Sequence, residues 1–132
     1  MGGAAGLVLL IEDDDDLREV EAGILERAGF RVSSAREGRE ALAHVDAEMP
    51  GVIFLDMKMP GMDGSAFARE FHARHGRQAP IVLLTATLNA EARAEEIGAD
   101  GVLGKPFEAR AFVDAAIQHM APTPARLAVV GK

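Results

Sequence analysis

The sequence predicts an α/β fold of three layers, α/β/α, with helices on both faces of a five-stranded parallel sheet. Three observations carry this. Five short apolar runs alternate with five helical patterns. The best of these runs are apolar at every position, as strands covered on both faces are. Polar and turn residues gather directly after the runs, at what would be the carboxyl ends of the strands.

The first strand is read at 7–11, ending in the acidic run Glu12, Asp13, Asp14, Asp15 and Asp16. A helix follows, with Leu17, Val20, Ile24, Leu25 and Ala28 at helical spacing, Asp15 or Asp16 as cap, and Gly29 as stop. Strand 2 is read at 30–34 and helix 2 at 37–47, with Ala41, Leu42 and Val45 facing inward. Pro50 and Gly51 break that helix before strand 3, 52–56. Helix 3 covers 65–75, with Phe67, Phe71 and Arg74 along one side. Strand 4 (81–85), a short helix 4 (90–97), a glycine-flanked strand 5 (101–104) and helix 5 (107–120) complete the set. Right-handed crossovers leave few arrangements of such units. The order 2-1-3-4-5 is adopted from the flavodoxin-like class of doubly wound sheets.

Residues 7–120 therefore read as one domain, with 1–6 as a flexible leader and 121–132 as a tail or the start of a linker. At 132 residues the chain can bury roughly 65–70% of its unfolded surface, so the core needs no staples. Cysteine is absent, which removes disulfides and thiolate metal sites. A net charge of −7 argues against direct nucleic-acid binding through phosphate contacts. No apolar run approaches the ~20 residues of a membrane span, and no signal peptide is recognisable, so a cytoplasmic setting without membrane partners is the expectation.

In a parallel sheet the carboxyl ends of all strands share one edge, where the reversal of strand order opens a crevice. The residues delivered there are Glu12 and Asp13 from strand 1, Asp56 from strand 3, Thr85 from strand 4 and Lys105 after strand 5. Two carboxylates about 4 Å apart repel by ~4 kcal/mol at an effective dielectric near 20. Three converging acids therefore raise one another's pKa values or recruit a cation, and Mg²⁺ suits a set of oxygen donors. That combination points to phosphoryl chemistry with Asp56 as nucleophile, Lys105 as a point charge on a phosphate oxygen and Thr85 as a hydrogen-bond donor. Each element has an ordinary structural explanation alone; the specificity lies in their register on successive strand ends. The four scattered histidines and the methionines near Asp56 are read as packing or surface residues.

The motifs Glu12-Asp13-Asp14, Leu55-Asp56-Met57-Lys58-Met59-Pro60-Gly61, Thr85-Ala86 and Lys105-Pro106-Phe107 together resemble the response-regulator receiver domains of bacterial two-component signalling, over about 7–120. The resemblance implies that Asp56 accepts a phosphoryl group from a histidine kinase or a phosphotransfer protein. It also implies that Mg²⁺ is held by Asp13, by Glu12 through water, by Asp56 and by the backbone carbonyl of Lys58. A cis bond at Lys105-Pro106 and an unidentified downstream protein partner are implied as well. The chain would be a phosphoacceptor with self-phosphorylation and self-dephosphorylation chemistry, without turnover of a separate substrate. Departures from the family pattern are Val102, where an aromatic residue often stands three before the lysine, a shortened 85–98 segment, and Lys58 and Thr87 at positions that tune phosphate loss. Two other readings follow. One is a phosphorylation-independent interaction module, favoured by Val102 and the short helix 4. The other is an aspartate-nucleophile phosphatase, which Lys58 disfavours because an acid often stands there.

Overall fold

The computed structural model describes residues 6–56, 64–86 and 89–120. Five strands, β1 (Leu7–Ile11), β2 (Arg31–Ala35), β3 (Val52–Asp56), β4 (Ile81–Thr85) and β5 (Gly101–Gly104), alternate with five helices. These are α1 (Asp15–Arg27), α2 (Gly38–Ala47), α3 (Gly64–His75), α4 (Ala90–Ile97) and α5 (Ala109–His119). All pairings are parallel, and the sheet order is β2-β1-β3-β4-β5, the order adopted from the flavodoxin-like class.

The period-2 geometry of a strand turns these apolar runs into two cores. On one face Leu9, Ile11, Ile53, Leu55 and Ile81 pack against Ala41, Leu42 and Val45 of α2 and Phe67, Ala68 and Phe71 of α3. On the other, Val8, Leu10, Val52, Phe54, Val82 and Leu84 meet Leu25 of α1 and Phe112, Ala115 and Ala116 of α5. Phe112 lies between two rings, with centroids 4.7 Å from Phe54 and 5.0 Å from Phe107. The strands are thus locked from both sides, which fixes the positions of their carboxyl ends. Gly6, just before β1, lies against Met120, where an added Cβ would come within 2.7 Å of the thioether. Gly98 ends α4 with φ +74°, and its N–H returns to the Ala94 carbonyl. Among the described residues no helix is long and apolar enough to cross a membrane.

Several local expectations shift. Asp14, not Asp15 or Asp16, caps α1, its carboxylate accepting the Leu17 N–H at 3.0 Å. The turn after Ile11 makes Asp14 the last residue with extended backbone, which is what a cap requires. Strand β2 starts one residue later than expected, because Arg31 is the residue that pairs with Leu7. Helix α5 starts at Ala109 and not at 107; Phe107 instead packs as a ring beside Phe112. Arg74 turns away from the Phe67–Phe71 side and bonds Glu70 and Asp46 at the surface.

The largest departure is in α1. Val20 is 57% exposed and Leu17 lies at the surface, while Glu21 is 2% exposed. Leu25 anchors the inner face, and the residue one turn before it, at i−4, is Glu21. Periodicity alone selected the apolar stripe; the sheet selected the neighbouring one. Burial, followed by the negative charge of Glu12, pushes the Glu21 carboxyl up to about 7.

Because the folded state holds this proton and the unfolded chain does not, the associated stability is complete below the usual glutamate value of 4.5 and is lost as pH rises through about 7. Glu21→Gln should therefore match the wild type near pH 5 and exceed it at pH 8 by about 1–3 kcal/mol. Urea titrations at the two pH values test this; a variant less stable at pH 8 would contradict it.

Candidate functional site

The site is assembled by strand ends. Ile11 is in register with Leu55, so the residues that follow them, Glu12 and Asp56, emerge side by side. Both are buried: Glu12 is 1% and Asp56 7% exposed. Asp13 is exposed at the rim. Carboxylate oxygens from Glu12, Asp13 and Asp56 lie within 4.8 Å of one another, the one such group found among the described residues that could hold a metal ion.

Backbone bonds hold these positions. The Glu12 N–H donates to the Ala35 carbonyl at the end of β2 at 3.0 Å. The Arg18 guanidinium, one turn into α1, donates to the Glu12 carbonyl at 2.9 Å, and its other amine pairs with Asp15 at 2.7 Å. The Asp14 N–H points to Glu12 Oε2 at 3.3 Å. From the far side of the crevice Lys105 Nζ reaches Glu12 Oε1 at 3.2 Å and Asp56 Oδ2 at 3.9 Å. Lys105 is placed by its own N–H, which donates to the Thr85 carbonyl at 2.8 Å, with Thr85 and Gly104 paired across β4 and β5. The Lys105-Pro106 bond is cis.

The electrostatics follow from this geometry. Burial, then the hydrogen bond to Asp56 and the Asp56 charge, raise the Glu12 carboxyl to about 7; Lys105 and the Asp14 N–H oppose them. Near neutrality Glu12 therefore holds a proton toward Asp56 for part of the time. Burial works against the charged form of Lys105, but the charges of Asp56 and Glu12 outweigh it and hold the ammonium above its usual pKa. The arrangement is a nucleophile-capable carboxylate, two further oxygen donors and one fixed cation around a common space. An all-oxygen donor set that remains under-compensated fits a hard divalent ion. Glu12, Asp13 and Asp56 are the residues that would hold it.

Of the residues selected from sequence, Glu12, Asp13, Asp56 and Lys105 converge, and Thr85 lies on the adjacent strand end, half-buried. The Lys58 carbonyl, expected as a ligand, and Thr87 lie outside the described residues. Val102 is half-buried in β5, opposite Leu83. Two contributors escaped sequence reading. Arg18 carries no motif, although its position one turn after a cap lets it reach back over the first turn. Glu21 was hidden among apolar neighbours, and only its i−4 relation to Leu25 could have flagged it.

A family model described as response regulator receiver domain matches residues 8–117. The chain is 37% identical to the DNA-binding transcriptional regulator NtrC of Salmonella typhimurium over 119 residues, covering 86% of this chain and 25% of that protein. It is 40% identical over 115 residues to the C4-dicarboxylate transport transcriptional regulatory protein DctD of Rhizobium meliloti, with the same coverage. This chain thus spans about a quarter of the length of these relatives. Among solved structures, the chemotaxis protein CheY4 of Vibrio cholerae superposes with a TM-score of 0.82 at 29% identity, covering 89% of this chain and all of that one. The receiver domain of NtrX from Brucella abortus gives 0.77 at 30% identity, covering 85% and 96%.

The local charge balance makes a direct prediction. In Asp56→Asn the Glu12 midpoint should fall from about 7 yet stay above 4.5, because the neighbouring charge is removed while burial persists. Carboxyl ¹³C chemical shifts followed against pH read this; an unchanged midpoint would show that Asp56 does not act on Glu12.

Proposed function

The chain belongs to the response regulator receiver domain family, and from that premise we propose that Asp56 is the phosphoacceptor of a phosphorelay. The observation that carries the proposal is the convergence of Asp56 with Glu12, Asp13 and Lys105 in one crevice. An Asp56 carboxylate oxygen would attack the phosphorus of a phosphohistidine on a kinase or phosphotransfer protein. The new P–O bond forms as the P–N bond breaks, and the imidazole leaves with the electron pair and takes up a proton. The product is an aspartyl phosphate.

Mg²⁺ bound at the acidic cluster would supply neutralisation of charge on the transferring phosphoryl oxygens. The chain's own residues would do the rest. Lys105, already 3.9 Å from Asp56, would pair with a phosphoryl oxygen. The Thr85 hydroxyl would donate to another. Glu12 would give up its shared proton as positive charge enters the crevice. Hydrolysis of the acyl phosphate would return the site to rest, and no separate substrate would be turned over. The change of charge at the crevice would shift a pre-existing equilibrium between two surface states and so alter binding to a downstream protein. The setting is proposed to be cytoplasmic, which the cysteine-free sequence fits.

One observation favours a second reading. Val102 occupies the β5 position at which the family often carries an aromatic residue. A phosphorylation-independent interaction module with the receiver fold would tolerate that replacement.

Incubation with Mg²⁺ and acetyl phosphate, followed by intact mass spectrometry, separates the two. A single phosphoryl adduct is expected on the wild type and none on Asp56→Asn. Lys105→Ala should form the adduct at least about tenfold more slowly, since a fixed cation at the transferring group is lost. No adduct on a folded, Mg²⁺-binding wild type, together with no response to beryllofluoride, would favour the interaction module.

A further inference from the structure

The acidic crevice has a fourth carboxyl behind it that the phosphoacceptor chemistry leaves unused. Glu21 sits on the inner face of α1 at 2% exposure, one turn before Leu25. Its Oε1 atom is buried without a hydrogen-bond partner. An ionised carboxylate with an unpartnered oxygen in such a place costs several kcal/mol in general, so the neutral form is the one the packing accommodates. Arg18, one turn earlier on the same helix, reaches the Glu12 carbonyl at 2.9 Å, which places Glu21 about one turn behind the crevice, within range of four charged groups. They are Glu12 after β1, Asp14 at the α1 cap, Asp56 at the end of β3 and Lys105 after β5. From α5, Phe112, Ala115 and Ala116 join the core that holds Leu25, one turn after Glu21, and none of them carries a charge. Three of the four charged neighbours are acids, and each disfavours ionisation of Glu21; Lys105 alone favours it.

We propose that Glu21 is a proton-holding residue set beneath the crevice, which releases its proton as the crevice takes up a divalent cation. This rests on the reading of Glu12, Asp13 and Asp56 as a cation site. The physics is reciprocal. Burial is the main reason Glu21 keeps its proton, and a cation that neutralises Glu12 and Asp56 removes the repulsion those acids add to it, while ionised Glu21 in turn adds attraction for the cation. Glu21 touches neither the cation nor the phosphoryl group in this scheme; it acts through the charges of the acids in front of it. The consequence is a cation affinity that climbs with pH across neutrality by more than Glu12 alone provides, because Glu21 also titrates near 7. Phosphoryl acceptance would then carry the same pH dependence through its need for the metal.

The test uses the full chain labelled with ¹³C at glutamate and aspartate carboxyls, with Glu21 assigned by its absence in Glu21→Gln. Titrations are run without and with saturating Mg²⁺. The Glu21 midpoint should fall by about 0.5 pH unit or more when Mg²⁺ is present. By linkage, Glu21→Gln should then lose about threefold of the rise in Mg²⁺ affinity between pH 6 and pH 8. Calorimetry in buffers of different ionisation enthalpy should record correspondingly less proton release by the variant. Glu21→Gln keeps the side chain's shape, and circular dichroism verifies its fold; the wild-type titration does not depend on it. Mg²⁺ that shifts the Asp13 and Asp56 signals but leaves the Glu21 midpoint unmoved would overturn this inference and leave the cation reading intact. Mg²⁺ that shifts none of these signals would overturn both.

Discussion

Glu12 directly follows β1 and Asp56 ends the neighbouring β3, and their backbones cannot move apart without breaking the ladder that pairs Ile11 with Leu55. That constraint organises the site. A parallel sheet buried on both faces fixes where its strands stop, and here two of them stop in acids. The like-charge repulsion is relieved locally, by the Lys105 ammonium, by the Asp14 N–H and by a proton that Glu12 keeps close to neutrality. The oxygens of Glu12, Asp13 and Asp56 already lie within 4.8 Å of one another, a grouping that could hold a metal ion.

The rest of the fold serves that rigidity. Alternate residues of β1, β3 and β4 enter two separate cores, so each strand is clamped by helices from both sides. The edge of the sheet is the one place where polar groups collect. Helix α1 links the two regions. Its cap, Asp14, also supplies an N–H to Glu12, and Arg18 ties its first turn to the Glu12 carbonyl. The same helix places Glu21 in the core, a locally unfavourable choice for stability. Conflicts between local rules and the fold are where functional constraints are expected.

The comparisons separate what is shared from what is not. One architecture covers the whole length of a Vibrio cholerae chemotaxis protein and a quarter of the length of NtrC and DctD. A fold found in such different contexts does not by itself specify function, which resides in the residues of the site. At the surface of this chain, among the described residues, stand three large apolar side chains, Leu17 and Val20 of α1 and Ile117 of α5.

Local pattern in the chain was enough to place the five strands, their alternation with helices and the residues delivered to the crevice. Each of these depends on local pattern: continuous apolar runs, helical spacing, and polar residues placed directly after strands. The motif from Leu55 to Gly61 and the lysine before Pro106 were legible for the same reason. The strand order could be adopted only from a known class, since nothing local says that β1 lies between β2 and β3. Which stripe of α1 faces inward was settled by packing, because a helix with apolar residues on two adjacent stripes is turned by the surface it meets. Tertiary structure buried Glu21 in place of Val20, chose Asp14 as the cap and brought Arg18 back over Glu12. The pKa values of Glu12 and Glu21 belong to that second group, since burial and the charges of residues distant in sequence set them.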